Sequence, residues 1–150
     1  MCGVVAHKFG ISSLHPWQMN AILSTLEGRD TLVVQPTGKG KSLCFVIPPL
    51  CNTKTAVVIS PTISLMTDQV GKLNKKGIRA VQLGSAQKDD ILQQVQDGYH
   101  YPLIFTTPES FLDRVTKTPK RVFLDLEAKS KLSVIAVDEA HLISSWQSFR

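Results

Sequence analysis

The run Gln35-Pro36-Thr37-Gly38-Lys39-Gly40-Lys41-Ser42 sets glycines, lysines and a hydroxyl between two apolar stretches, Thr31-Leu32-Val33-Val34 and Leu43-Cys44-Phe45-Val46-Ile47. That order predicts a strand, a glycine-bearing turn and a helix. It is the setting a polyphosphate needs. Around Thr37, Gly38, Lys39 and Gly40 the backbone can turn its N–H groups inward. The helix that follows adds its unpaired N-terminal donors and the positive end of its dipole. Lys41 would reach the terminal phosphates and the Ser42 hydroxyl would ligate Mg²⁺. The first glycine of the generic pattern is Gln35 here. Taken alone, the motif also fits a glycine-rich turn that holds no ligand.

A second cluster sharpens the choice. Val134-Ile135-Ala136-Val137 runs directly into Asp138-Glu139-Ala140-His141. An apolar strand ending in two carboxylates sets both at its carboxyl edge. In a parallel sheet the loop after 31–34 lies at that same edge. Asp138 is then placed to hold Mg²⁺, and Glu139 to orient and deprotonate the water that attacks a γ-phosphate. His141 could couple the pair to a bound strand or a neighbouring domain. The plainer alternative is a solvated acidic turn after a buried strand.

These residues need a scaffold, and the hydrophobic pattern supplies one. Val- and Ile-rich strand candidates fall at 31–35, 55–60, 79–83, 102–106 and 133–137. Several are apolar on both faces, as buried parallel strands are. Pro16 suits the first turn of a helix ending near Glu27. Thr62 can cap a helix whose Ile63, Met66, Val70 and Leu73 share one face, with Gly77 closing it. Further helices are expected from Asp89 or Asp90 to Gly98, from Pro108, and at 120–130. The alternation predicts an α/β domain with a mostly parallel sheet flanked by helices.

Composition narrows the class further. The chain has 150 residues, 43% of them apolar, which suits one domain with a sizeable core. A net charge of +5 leans toward an anionic partner, or simply toward solubility. Cys2, Cys44 and Cys51 are odd in number and lack metal-ligand spacing, so they read as reduced thiols of an intracellular protein. No apolar run is long enough to span a membrane.

With these motifs in place, the chain resembles the first ATP-binding domain of the RecQ helicases, within helicase superfamily 2. Phe9-Gly10 through Pro16 and Gln18 looks like the motif that precedes the family's phosphate loop. Pro36 to Phe45 looks like the loop itself, where the family also lacks glycine at the Gln35 position. Val58 to Val70 is similar to the next motif over a long stretch. Thr106-Thr107-Pro108-Glu109 matches another, and Asp138-Glu139-Ala140-His141 the acidic box. Leu83-Gly84-Ser85-Ala86-Gln87, with Leu43-Cys44-Phe45, looks most like the Werner type.

The resemblance implies a RecA-like fold, ATP and Mg²⁺ as cofactors, and movement 3′ to 5′ along DNA, single-stranded and duplex. It implies that Gln18 bonds the adenine edge. His15 stands where the family has a basic residue that stacks on adenine, so stacking should be weaker here. It assigns Ser60, Thr62, Ser64, Gln69, Thr107, Pro108 and Glu109 to a DNA backbone. Trp146, Phe149 and Arg150 fall in an aromatic loop that senses single-stranded DNA, one residue shorter here than usual. For a eukaryotic source the family implies nuclear residence.

Residues 1–150 are expected to be a partial ATP-binding domain. The second RecA-like domain, with the arginine that completes the γ-phosphate site, lies outside them. So does a strand that the family places between the phosphate-loop strand and the acidic-box strand. The expected result is a gap or a non-native pairing, and marginal stability. Two other functions stay open: a non-catalytic ATP- or DNA-binding fragment, and a superfamily 2 translocase acting on RNA.

Overall fold

A computed structural model of the chain describes residues 13–36, 40–83, 90–112 and 118–140. In order, the elements are α1 (Pro16–Leu26), α2 (Leu43–Asn52), β1 (Thr55–Ile59), α3 (Ile63–Lys75), β2 (Ala80–Leu83), α4 (Asp90–Gln96), β3 (Leu103–Thr106), α5 (Pro108–Leu112), α6 (Thr118–Ala128) and β4 (Leu132–Val137). The strands form one sheet in the order β2-β3-β1-β4, and every pairing is parallel. The predicted α/β architecture is therefore present, and four of the five expected strands are in the sheet.

Alternating side chains explain why both faces are covered. Ala56, Val58, Leu103 and Phe105 pack on one face with Phe45 and Val46 of α2 and Met66 and Leu73 of α3. Phe45 meets Phe105 edge to face, with ring centroids 6.3 Å apart. Val57, Ile104 and Leu83 point the other way, against Ile91, Leu92 and Val95 of α4 and Val122 and Leu126 of α6. α1 does not touch the sheet core in this way. It lies on α2 through Ile22, Leu43 and Ile47.

Local signals set the helix ends. Thr62 Oγ1 accepts from the Leu65 N–H at 3.2 Å, the cap expected of it. At the other end of α3, Asn74 bonds both backbone groups of Ala80, at 3.0 and 3.1 Å, and so seats β2 directly after the helix. α2 carries Pro48 and Pro49 in its interior, both buried. Proline offers no N–H, so the carbonyls four residues earlier lose their helical donors.

Residues 31–35, expected as a strand, stand outside the sheet. They pair with no strand, and Leu32 and Val34 are 80% and 81% exposed. β4 forms one edge of the sheet among the described residues, and its Ile135 and Val137 are also exposed. Apolar character suits a segment to a strand, but a ladder also needs a partner about 4.8 Å away, and none flanks 31–35 among the described residues. Residues 31–35 lie beside α1 instead, and with Trp17, Ala21 and Ser24 they border a cleft of about 440 Å³.

One contact ties α1 to the loop ahead of α2. Gln18 is only 3% exposed. Its Oε1 accepts from the His15 N–H at 2.8 Å, and its Nε2 donates to the Gly40 carbonyl at 3.0 Å. Gly40 has φ +84°, and a Cβ there would lie 2.6 Å from Gln18 Nε2. Only glycine meets both conditions without displacement.

Three outcomes are expected. Gly40→Ala should cost about 1–3 kcal/mol, read by denaturant unfolding. Pairing it with Gln18→Ala should give a loss below the sum of the two single losses, because the crowded amide is then gone. Amide hydrogen exchange should show strong protection in β1 and β3 and little in 31–36. Equal protection in 31–36 would mean that this segment is laddered after all.

Candidate functional site

Parallel strands bring their carboxyl ends to one edge, and the ladder continues past the last strand residues there. The Asp138 N–H donates to the Ile59 carbonyl at 2.9 Å, and the Ser60 N–H to the Thr106 carbonyl at 2.8 Å. Ser60, Thr107 and Asp138 thus follow β1, β3 and β4 side by side.

α2 is fastened to β4, the strand that leads into Asp138. Asn52, its last residue, donates through Nδ2 to Ser133 Oγ near the start of β4 at 3.0 Å. α2 packs on β4 from that end, so its N-terminal turn is the end farther from Ser133. There the Leu43 and Cys44 N–H groups bond the carbonyls of Gly40 and Lys41. The Ser42 hydroxyl makes no capping bond and is exposed. Lys41 forms no salt bridge among the described residues. Burial pushes the neighbouring Cys44 thiol above its ordinary pKa, so it stays neutral and takes no part as a thiolate.

The acidic pair is held from two directions. Asp138 Oδ1 accepts from the Glu139 N–H at 3.0 Å, and Oδ2 accepts from Gln69 Nε2 of α3 at 3.0 Å. Glu139 has φ +55°, a left-handed conformation rare for a residue with a side chain. Such strain costs about 1–3 kcal/mol and collects at functional turns. An exposed hydroxyl, a carboxylate and a lysine without a salt bridge among the described residues make a hard-oxygen and cationic set. It fits a magnesium-bound polyphosphate.

The other expected residues divide by exposure. Gln18 is enclosed and already uses its amide oxygen and one N–H on His15 and Gly40, so it braces the loop. His15 is exposed and its ring lies parallel to Trp17, with centroids 6.1 Å apart. Of the positions expected along a DNA backbone, Thr62, Ser64 and Glu109 are exposed. Thr107 is buried; its Oγ1 caps α5 by accepting from the Ser110 N–H at 3.2 Å. Pro108 is buried too. Ser60 is fully buried, and its Oγ has no hydrogen-bond partner among the described residues. An unmet buried hydroxyl costs about 1–3 kcal/mol, so this orphan sits at the edge where the acidic turn and α3 meet. Gln69 is half-buried and bound to Asp138, a pairing that no local pattern announces across 69 positions. Thr37, Gly38, Lys39, His141, Trp146, Phe149 and Arg150 lie outside the described residues.

Comparison with known proteins follows this geometry. The family described as DEAD/DEAH box helicase matches residues 15–150. An ATP-dependent DNA helicase RecQ from Haemophilus influenzae is 42% identical over 146 residues, covering 95% of this chain and 22% of that protein. The bifunctional 3'-5' exonuclease/ATP-dependent helicase WRN of Mus musculus is 45% identical over 139 residues, covering 92% of this chain and 10% of that protein. The ATP-dependent DNA helicase Q-like SIM of Arabidopsis thaliana is 38% identical, over 95% of this chain and 16% of its own length. The chain thus spans less than a quarter of each of these relatives. Among solved structures, the DUF1998 helicase MrfA bound to DNA and AMPPNP superposes with a TM-score of 0.70 at 24% identity, over 93% of this chain and 20% of that one. That likeness concerns the fold, a helicase RecA-like domain. Together with the motif-bearing edge of the sheet, the family match means that this chain belongs to the DEAD/DEAH box helicases, with RecQ helicases as its curated relatives.

Proposed function

We propose that the chain is the ATP- and DNA-binding first RecA-like domain of a RecQ-type DNA helicase that moves 3′ to 5′. The observation that carries this reading is the acidic turn Asp138-Glu139 at the carboxyl edge of a parallel sheet, with α2, the helix that Lys41 and Ser42 precede, packed on the same β4. Identity of about two in five residues to RecQ helicases supports the DNA substrate. For a eukaryotic source the same reading includes nuclear residence and work in DNA repair or recombination.

Each residue has a task set by its chemistry. The Lys41 ammonium neutralises charge on the terminal phosphates. Ser42 and Asp138 offer oxygens to Mg²⁺, which supplies charge neutralisation of the phosphates when bound. Glu139 takes a proton from the attacking water, and its fixed turn holds it next to Asp138. Exposed Thr62 and Ser64 stand at the N-terminal end of α3, where backbone N–H groups favour phosphate. Trp146, Phe149 and Arg150 would meet single-stranded DNA by stacking and charge. A second RecA-like domain would close the cleft and complete the γ-phosphate site, and its opening and closing would drive the step along the strand.

ATPase measured with and without DNA tests the reading, first in the full-length protein and then in residues 1–150. Lys41→Ala and Glu139→Gln should each lower DNA-stimulated turnover about 100-fold or more. Glu139→Gln should still bind nucleotide. Activity in the full-length protein but none in 1–150 marks this chain as a binding domain that needs its partner. Stimulation by RNA beyond that by DNA would replace the DNA helicase with an RNA translocase.

A further inference from the structure

Asp138 is oriented by two donors of different origin. One, the Glu139 N–H, belongs to its own turn. The other, Gln69 Nε2, belongs to α3, the helix whose capped N-terminal end carries the exposed Thr62 and Ser64. α3 is anchored elsewhere. Asn74 bonds both backbone groups of Ala80, and Thr67 Oγ1 donates to Gln82 Oε1 at 3.1 Å. Met66 and Leu73 are buried against the sheet. The helix is thus a rigid bar, with Gln69 between its exposed start and its fastened end. The backbone of Asp138 is pinned by the ladder to Ile59. Its carboxylate is held at Oδ1 by the Glu139 N–H, and the donor on Oδ2 is the second point that fixes its plane.

We propose that Gln69 is a positioning residue that sets the plane of the Asp138 carboxylate and transmits displacement of α3 to it. A carboxylate oxygen has lone pairs to spare, so Oδ2 can accept from Gln69 and still leave Asp138 able to hold Mg²⁺ when it is bound. Without the amide, the carboxylate turns about its last torsion and meets the metal in fewer of its orientations. Groups that hold a ligating carboxylate in this way are worth about 10–100-fold in metal affinity or activity. Gln69 then serves DNA response from within, through α3 and Asp138, in place of touching the strand. The inference rests on Asp138 facing the metal, as in the function proposed above.

The test uses the full-length protein, a fluorescent ADP as probe, and Mg²⁺ titrations. Gln69→Ala and Gln69→Leu, the second keeping most of the side-chain bulk, should raise the Mg²⁺ midpoint for nucleotide binding about 10-fold. Nucleotide affinity without metal should stay the same. In an Asp138→Asn background Gln69→Ala should add nothing. The ratio of DNA-stimulated to basal ATPase should fall in both Gln69 variants. Far-UV circular dichroism and melting temperature matching the unsubstituted protein establish that the variants fold. An unchanged Mg²⁺ midpoint in folded variants overturns the proposal, and so does an effect that persists in Asp138→Asn. Loss confined to DNA affinity overturns it in favour of a direct strand contact. If the unsubstituted protein binds the probe with no dependence on Mg²⁺, the metal-site reading itself fails, and this inference with it.

Discussion

The hydrogen bond from the Asp138 N–H to the Ile59 carbonyl is the rung on which the site depends. It extends the β1–β4 ladder one residue beyond Val137 and fixes where the chain leaves the sheet. Because the pairing is parallel, β1 and β3 end at the same edge. Ser60 and Thr107 leave there beside Asp138. Had β4 run antiparallel, the acidic pair would emerge at the opposite edge, about 17 Å from the loop that α2 presents, given the rise of a strand. The left-handed turn at Glu139 is then affordable only because a ladder on one side and the Asp138 carboxylate on the other hold it in place.

On the other side of the site the constraint is steric. Gln18 bridges the N-terminus of α1 and the Gly40 carbonyl, and Gly40 accepts that contact because it has no side chain. α1 does not enter the main core and rests on α2 through Ile22, Leu43 and Ile47. Its attachment is therefore local. α1 reaches Gly40 through the Gln18 amide, while its packing on α2 ties it to the helix that follows Gly40.

Much of this was legible in the sequence because it is written in short range. Thr62, Pro16 and Gly77 mark helix ends by chemistry that acts over three or four residues. The run from Val134 to Glu139 places a strand end and two carboxylates in a single stretch. Long-range pairing is different in kind. Leu32 and Val34 have the branched and apolar character of a strand, yet strand pairing is a relation between two segments, and no residue in 31–35 states which neighbour stands beside it. The Gln69–Asp138 bond was hidden for the same reason, since neither residue type nor spacing distinguishes that glutamine from others on α3. Ser60 and Thr107 were assigned to a DNA backbone through the family resemblance; that both are enclosed is set by packing at the sheet edge between segments far apart in sequence.

The sheet edge at β4 has a consequence for the chain as a material. Its outward row of backbone donors and acceptors meets no strand among the described residues, and Ile135 and Val137 are exposed next to it. Leu32 and Val34, also exposed, form a second apolar β-prone run. An edge of this kind is a template that any extended segment can complete, including the same segment of another molecule. Self-association of the chain through strand addition would therefore grow with concentration, an effect distinct from unfolding and independent of nucleotide chemistry. Lys and Arg residues distributed over the surface, giving the net charge of +5, oppose it by mutual repulsion, so low ionic strength should favour the monomer.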